Sequence, residues 1–226
     1  MGLFSFIESA GRKLGFFGDR KAKEAEAAKE AAKEAASTGE AIAADIHAAI
    51  LSYVAIDDLL VTFEVGTVQL SGTATSQADA ERAVLVAGNT EGVSQVDDGG
   101  LVVREPEPPS VHHTVVKGDT LSELAGEYYG VIRLFDAIFE ANQPMLAHPD
   151  EIYPGQVLRI PPVRTPTHTV ARGETLGTIA KHWYGDAKRY RTIFEANGSV
   201  LSNPDEVEIG QELTIPLVDP KVPALS

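Results

Sequence analysis

Apolar residues recur along this chain at two spacings, and each spacing predicts a different kind of element. Leu3, Phe6, Ile7, Ala10, Leu14 and Phe17 fall on one helical face, which predicts a short amphipathic helix docked on the protein's own body. From Asp19 to Ala36 nearly every residue is Ala, Glu or Lys, strong helix formers with opposite charges three and four apart. A solvated helix or semi-rigid spacer is expected there. Helical spacing returns at Ile42, Ile46, Ile50, Leu51 and Val54, a core-facing stripe. The period then changes to two in LLVTFEVGTVQLSG, Leu59 to Gly72, as in a hairpin turning at Gly66. Thr73 to Gly88 reads as helix with Ala80, Ala83, Val84 and Ala87 inward, and GNTEGVSQVDDGGLVV leads into a third strand. The predicted order is helix, strand, strand, helix, strand.

A Pro-rich acidic linker, EPEPPS, closes this region. Beyond it the chain repeats itself: His113–Pro161 aligns without a gap on His168–Pro216, an offset of 55. Each copy reads strand, helix, helix, strand. Thr120 and Thr175 stand at helix N-caps, Asn142 and Asn197 at helix C-termini, and Gly155 and Gly210 at turns before the last strand. The fold class is therefore α+β: an αββαβ domain followed by two βααβ domains. The expected boundaries are an N-terminal segment 1–18, a spacer 19–39, the first domain 40–104, a linker 105–111, repeats at 112–162 and 168–217 joined by 163–167, and a tail 218–226.

Charge narrows the function. The formal net charge of -14 disfavours nucleic acid and anionic lipid and favours cations. With no cysteine there is neither a disulfide framework nor a thiolate metal site. No run approaches the length of a membrane span, and Glu8, Arg12 and Lys13 interrupt the apolar opening too early for an export signal. Phe6 stands where a myristoylation pattern needs Ser or Thr. A cytoplasmic location is expected. The six histidines form no HExxH or spaced cluster, and neither GxSxG nor a phosphate loop occurs, so no enzyme is expected. His113 and His168 begin equivalent strands, which suits a structural role, and PDE at 149–151 and 204–206 reads as turn chemistry.

The hairpin, Ala-rich helix and strand entry marked by Gly66, Val68, Leu70, Gly72, Gly92, Val93, Val96 and Asp97 resemble the BON domain. The repeats, with HTVxxG[DE]TL, YG, IFEAN, PDE and GQxLxIP, resemble the LysM domain. That resemblance implies a groove for N-acetylglucosamine polymers such as peptidoglycan. In the first copy it would be Gly118, Asp119, Thr120, Leu121, Ala141, Asn142 and Met145; in the second, Gly173, Glu174, Thr175, Leu176, Ala196 and Asn197. The same residues also serve as caps and stops of a βααβ unit, and a protein-docking or adaptor role in an envelope or phage-like assembly stands beside the sugar reading.

The combination is more specific. MGLFSF, AG, VAGN and EANQPML...IYPGQVLRIP resemble the small bacterial BON–LysM potassium-binding proteins over about residues 1–161. The second LysM and the Ala/Glu/Lys segment are additional. The resemblance implies K+, or another large monovalent cation, held by main-chain carbonyls of Ile7, Ala10, Arg12, Gly88, Thr90 and Val93. From the residues alone, Gly88 and Gly92 suit either a glycine cap or a turn that aims carbonyls at one point. Thr90 stands where the family more often has an aliphatic residue.

Overall fold

The computed structural model describes residues 3–5, 39–143 and 145–225. It divides into two compact units: Met1–Gly118 with Ala141–Arg159, and Asp119–Glu140 with Ile160–Ser226.

The first unit is built on a four-stranded sheet. Its elements are β1 (Leu3–Ser5), α1 (Gly39–Tyr53), β2 (Ile56–Glu64), β3 (Thr67–Ser76), α2 (Gln77–Gly88) and β4 (Gln95–Glu105). The strand order is β1-β4-β3-β2, with β2 and β1 antiparallel to their neighbours and β3 parallel to β4. The parallel pair needs a crossover, and α2 supplies it. Ile46 and Ile50 from α1, Val68 and Leu70 from β3, Ala83, Val84 and Ala87 from α2, and Val96 from β4 form one buried cluster. The hairpin turns at Val65 and Gly66, both at positive φ as a two-residue turn matched to strand twist requires.

Two expectations need correction. The helix expected from Leu3 does not begin there: Leu3, Phe4 and Ser5 pair with Asp97, Val96 and Gln95 as an edge strand. The rest of that stretch, and the Ala/Glu/Lys segment, lie outside the described residues. The second helix begins at Gln77, not Thr73. Thr73 and Ala74 instead continue the ladder opposite Val102 and Val103. Ser76 then stops the strand as an N-cap, its hydroxyl accepting from Asp79 N at 3.2 Å.

The first repeat runs β5 (Val111–Thr114), α3 (Leu121–Tyr129), a 3-10 turn (Ile132–Leu134), α4 (Phe135–Ala141) and β6 (Val157–Ile160). The second runs β7 (Thr167–Thr169), α5 (Leu176–Tyr184), a 3-10 turn (Ala187–Arg189), α6 (Tyr190–Ala196) and β8 (Glu212–Thr214). In each, the outer strands form a two-stranded sheet. Thr120 and Thr175 cap their helices by accepting from Glu123 N and Thr178 N, both at 3.2 Å. Gly130 and Gly185 end them in the left-handed conformation.

Within the second unit, residues 218–225 run as a strap. Val218 N donates to Tyr129 O at 3.0 Å, Lys221 N to Tyr128 O at 2.8 Å, and Leu225 N to Val163 O at 2.9 Å, while Val222 is buried. Gly130 is required beneath it, because a Cβ there would collide with the backbone of Val218.

Candidate functional site

The end of α2 is the most elaborated turn of the first unit. Asn89, buried, closes the helix by donating both its N–H (2.9 Å) and its Nδ2 (3.0 Å) to Leu85 O. Thr90 N reaches Ala87 O at 3.2 Å and its hydroxyl reaches Val86 O at 2.9 Å, so the carbonyls of Leu85, Val86 and Ala87 are each capped. Val93 N then donates to Thr90 O at 3.2 Å, closing a turn in which Gly92 takes φ +88°. Among the described residues, no donor reaches Gly88 O or Val93 O. The turn therefore gathers Gly88, Thr90 and Val93, three of the six residues expected at a cation site, at the negative end of a helix dipole. Gly88 itself stays helical; only Gly92 uses the freedom of glycine. Ile7, Ala10 and Arg12 lie outside the described residues. β1, which precedes them, ends with Ser5 opposite Gln95, two residues from Val93.

The surroundings are acidic. Residues 40–104 carry ten acidic and two basic side chains, a formal -8. Among the described residues no group of three or more His, Cys, Asp or Glu is placed to hold a metal ion, and no helix is long and apolar enough to cross a membrane.

Asn89 also faces outward from the turn. Its Oδ1 accepts from Val157 N at 3.3 Å and its Nδ2 lies 3.4 Å from Val157 O, so one amide grips both polar groups of a β6 residue. About two turns of α2 earlier, Glu81 meets Arg159 Nε at 2.7 Å, both side chains only 8% exposed. Arg159 Nε also reaches Ser110 Oγ at 3.0 Å, and Ser110 N donates to Glu81 at 2.8 Å. Burial pushes the Glu81 carboxyl up, but hydrogen bonds from Ser110 and Gln77 and the charge of Arg159 outweigh it and hold it below its ordinary value. Nearby on β5, burial lowers His112, Arg159 lowers it further, and Glu81 opposes. Sequence reasoning missed this clasp. Its one trace is a repeat mismatch: VLRIP carries Arg159 where ELTIP carries Thr214.

The expected sugar-groove residues divide. Gly118 and Gly173 are exposed at positive φ, Thr120 and Thr175 are caps, and Leu121 and Leu176 are buried. Asn142 and Asn197 are committed to structure: each receives an N–H from the last strand and returns its amide to it, through Arg159 at 2.8 and 2.7 Å and Thr214 at 2.8 and 2.8 Å. Ala141 and Met145 are buried in the first copy, and Asn89 Nδ2 sits 3.8 Å from Met145 Sδ. In the second copy Ala196 is exposed. Glu174 accepts from Ala171 N at 2.7 Å and faces His168 Nε2 at 2.8 Å, contacts that hold its carboxyl below the ordinary range.

The chain matches the BON domain over residues 38–105 and the LysM domain over 113–161 and 168–216. It is 36% identical over 161 residues to the potassium binding protein Kbp of Escherichia coli O6:H1, covering 71% of this chain and 99% of that protein. An esterase of Mycobacterium tuberculosis H37Rv is 36% identical over 137 residues, 61% of this chain and 28% of the esterase. An endolysin of Bacillus phage B103 is 33% identical over 110 residues, 46% of this chain and 37% of the endolysin.

Proposed function

We propose that this chain, which belongs to the bacterial BON–LysM potassium-binding protein family, is a non-enzymatic cytoplasmic protein that binds or senses potassium. The ion would sit between the opening segment and the end of α2, ringed by the carbonyls of Ile7, Ala10, Arg12, Gly88, Thr90 and Val93. The observation that carries this reading is the turn itself: Gly88 O and Val93 O lack donors among the described residues, and β1 anchors the opening segment beside Gln95. Carbonyl oxygens replace the hydration shell of a large monovalent ion without needing a charged ligand. The acidic surroundings raise local cation concentration and leave the choice of ion to the cage.

Thermal melts in potassium and in sodium at equal ionic strength test it. At 100 times its dissociation constant, potassium should add about 2.7 kcal/mol, and the melting point should rise by several degrees. Sodium should do less. Deleting residues 2–12 should abolish the difference, but it also removes β1. A second variant that keeps residues 1–5 and joins Ser5 to Lys13 by deletion of residues 6–12 removes the three carbonyls while keeping the strand, and so separates loss of the cage from loss of the strand. Equal melts in both salts for the intact chain would exclude the reading.

A second reading, binding of N-acetylglucosamine polymers, is favoured only for the second LysM, where Ala196 is exposed while its counterpart Ala141 is buried. Neither LysM carries net positive charge to attract an anionic wall polymer. Weak or absent retention on purified peptidoglycan is expected, and tight, sugar-competable retention would promote this reading.

A further inference from the structure

The two LysM repeats share a frame but differ on one face of their last strand. All four residues of β6 are buried, whereas β8 exposes Glu212 and Thr214 around a buried Leu213. In the first repeat the strand receives Asn89 at the main chain of Val157 and Glu81 at the side chain of Arg159. At an offset of 55, Glu212 replaces Val157, Thr214 replaces Arg159 and Val200 replaces Met145. Val200 is 57% exposed and Ile209 69% exposed in the same repeat, so its surface has apolar content as well as charge.

Charge in the second repeat is sorted by position. Residues 192–216 carry Glu195, Asp205, Glu206, Glu208 and Glu212, all exposed, and no Lys or Arg. Residues 168–191 carry Arg172, Lys181, Lys188, Arg189 and Arg191, all exposed, against only Glu174 and Asp186. Among the described residues none of those five cations forms an ion pair. The first repeat lacks this pattern: Leu134 stands for Arg189, Asp136 for Arg191, Tyr153 for Glu208 and Val157 for Glu212.

We propose that the exposed face of β8, with its acidic edge, is a docking surface for the basic Lys188–Arg191 shoulder of a second copy of this chain. The acidic residues complement a cationic partner, and the same repeat presents one in the exposed Lys188 and Arg189 with Arg191 beside them. The BON helix end is the wrong occupant, because Glu81 would meet Thr214 and find Glu212 nearby in place of its arginine. Since the two patches differ, the contact is head-to-tail, and a pair of copies retains one free patch of each kind. The pairs are solvent-exposed, so association is weak and salt-sensitive.

Sedimentation equilibrium of the full chain across a concentration series tests this. In about 0.1 M salt, where charges more than roughly 10 Å apart are screened and apposed ones are not, the average mass should rise with concentration. It should return to the monomer in about 1 M salt. Reversing the shoulder with Lys188→Glu and Arg189→Glu, or the face with Glu208→Lys and Glu212→Lys, should each weaken association at least about tenfold. Mixing the two reversed proteins should restore association that neither shows alone. A monomer at every concentration, or association indifferent to both reversals, overturns the proposal.

Discussion

In both LysM repeats an asparagine at the end of the second helix ties that helix to the last strand, Asn142 to Arg159 and Asn197 to Thr214. This internal tie is thus the same, while the outer surface of that strand differs between the copies. In the first repeat it is committed to the BON helix through Val157 and Arg159; in the second it is exposed as Glu212 and Thr214. A duplicated module can keep its own folding residues and change its partner by altering three or four positions. The repeat mismatches, not the repeat identities, mark where each copy does something of its own.

Exchanging residues between the copies breaks this comparison most directly. Arg159→Thr, which installs the second copy's residue, leaves Glu81 buried without its cation and should cost about 3–5 kcal/mol in urea unfolding. Replacing Glu81 and Arg159 together with Met should cost far less, because no charge is then stranded. Asn89→Ala removes the grip on both polar groups of Val157 and should cost about 1–3 kcal/mol by the same measurement.

A pH series sharpens the comparison further. His112 is held below its ordinary value mainly by burial, with Arg159 adding to the effect and Glu81 opposing. In the window just below about pH 6.5 the unfolded chain binds a proton that the folded chain refuses, so stability should fall as pH drops through it. His112→Gln should flatten that slope. The Glu81 carboxyl, held below its ordinary value, should contribute stability above the usual carboxylate range and lose it as pH falls lower still. The reciprocal exchanges Thr214→Arg and Val200→Met, on an exposed face, should change stability by no more than about 0.5 kcal/mol.

What could be read in the sequence was local or periodic. The Gly66 turn, the caps at Thr120 and Thr175 and the offset of 55 each depend on neighbours within a few residues or on repetition. The clasp could not be read that way, because Glu81 and Arg159 are 78 residues apart and each alone resembles an ordinary surface charge. Asn89 was visible within VAGN, but as part of a main-chain turn; that its side chain would also hold β6 depends on tertiary contact. At Leu3, Phe4 and Ser5 the strand could not be read, because three residues are too few to reveal a period of two and the helical spacing of the residues after them dominates. Of the candidate cation ligands, Gly88, Thr90 and Val93 come together because one capped helix end brings them together.

The strap over Gly130 bears on the order in which the chain can mature during synthesis. Tyr128 and Tyr129 wait for Lys221 and Val218, contacts that span about ninety residues, and Val163 waits for Leu225. The first unit uses no described residue beyond Arg159, so its groups are all available well before the strap emerges from the ribosome. The second unit can finish only once residues 218–225 have emerged, since loop closure over that distance must precede the contacts that reward it. Nascent chains stalled before residue 218 should therefore protect the BON sheet from protease while leaving the Tyr128–Gly130 helix end open to cleavage.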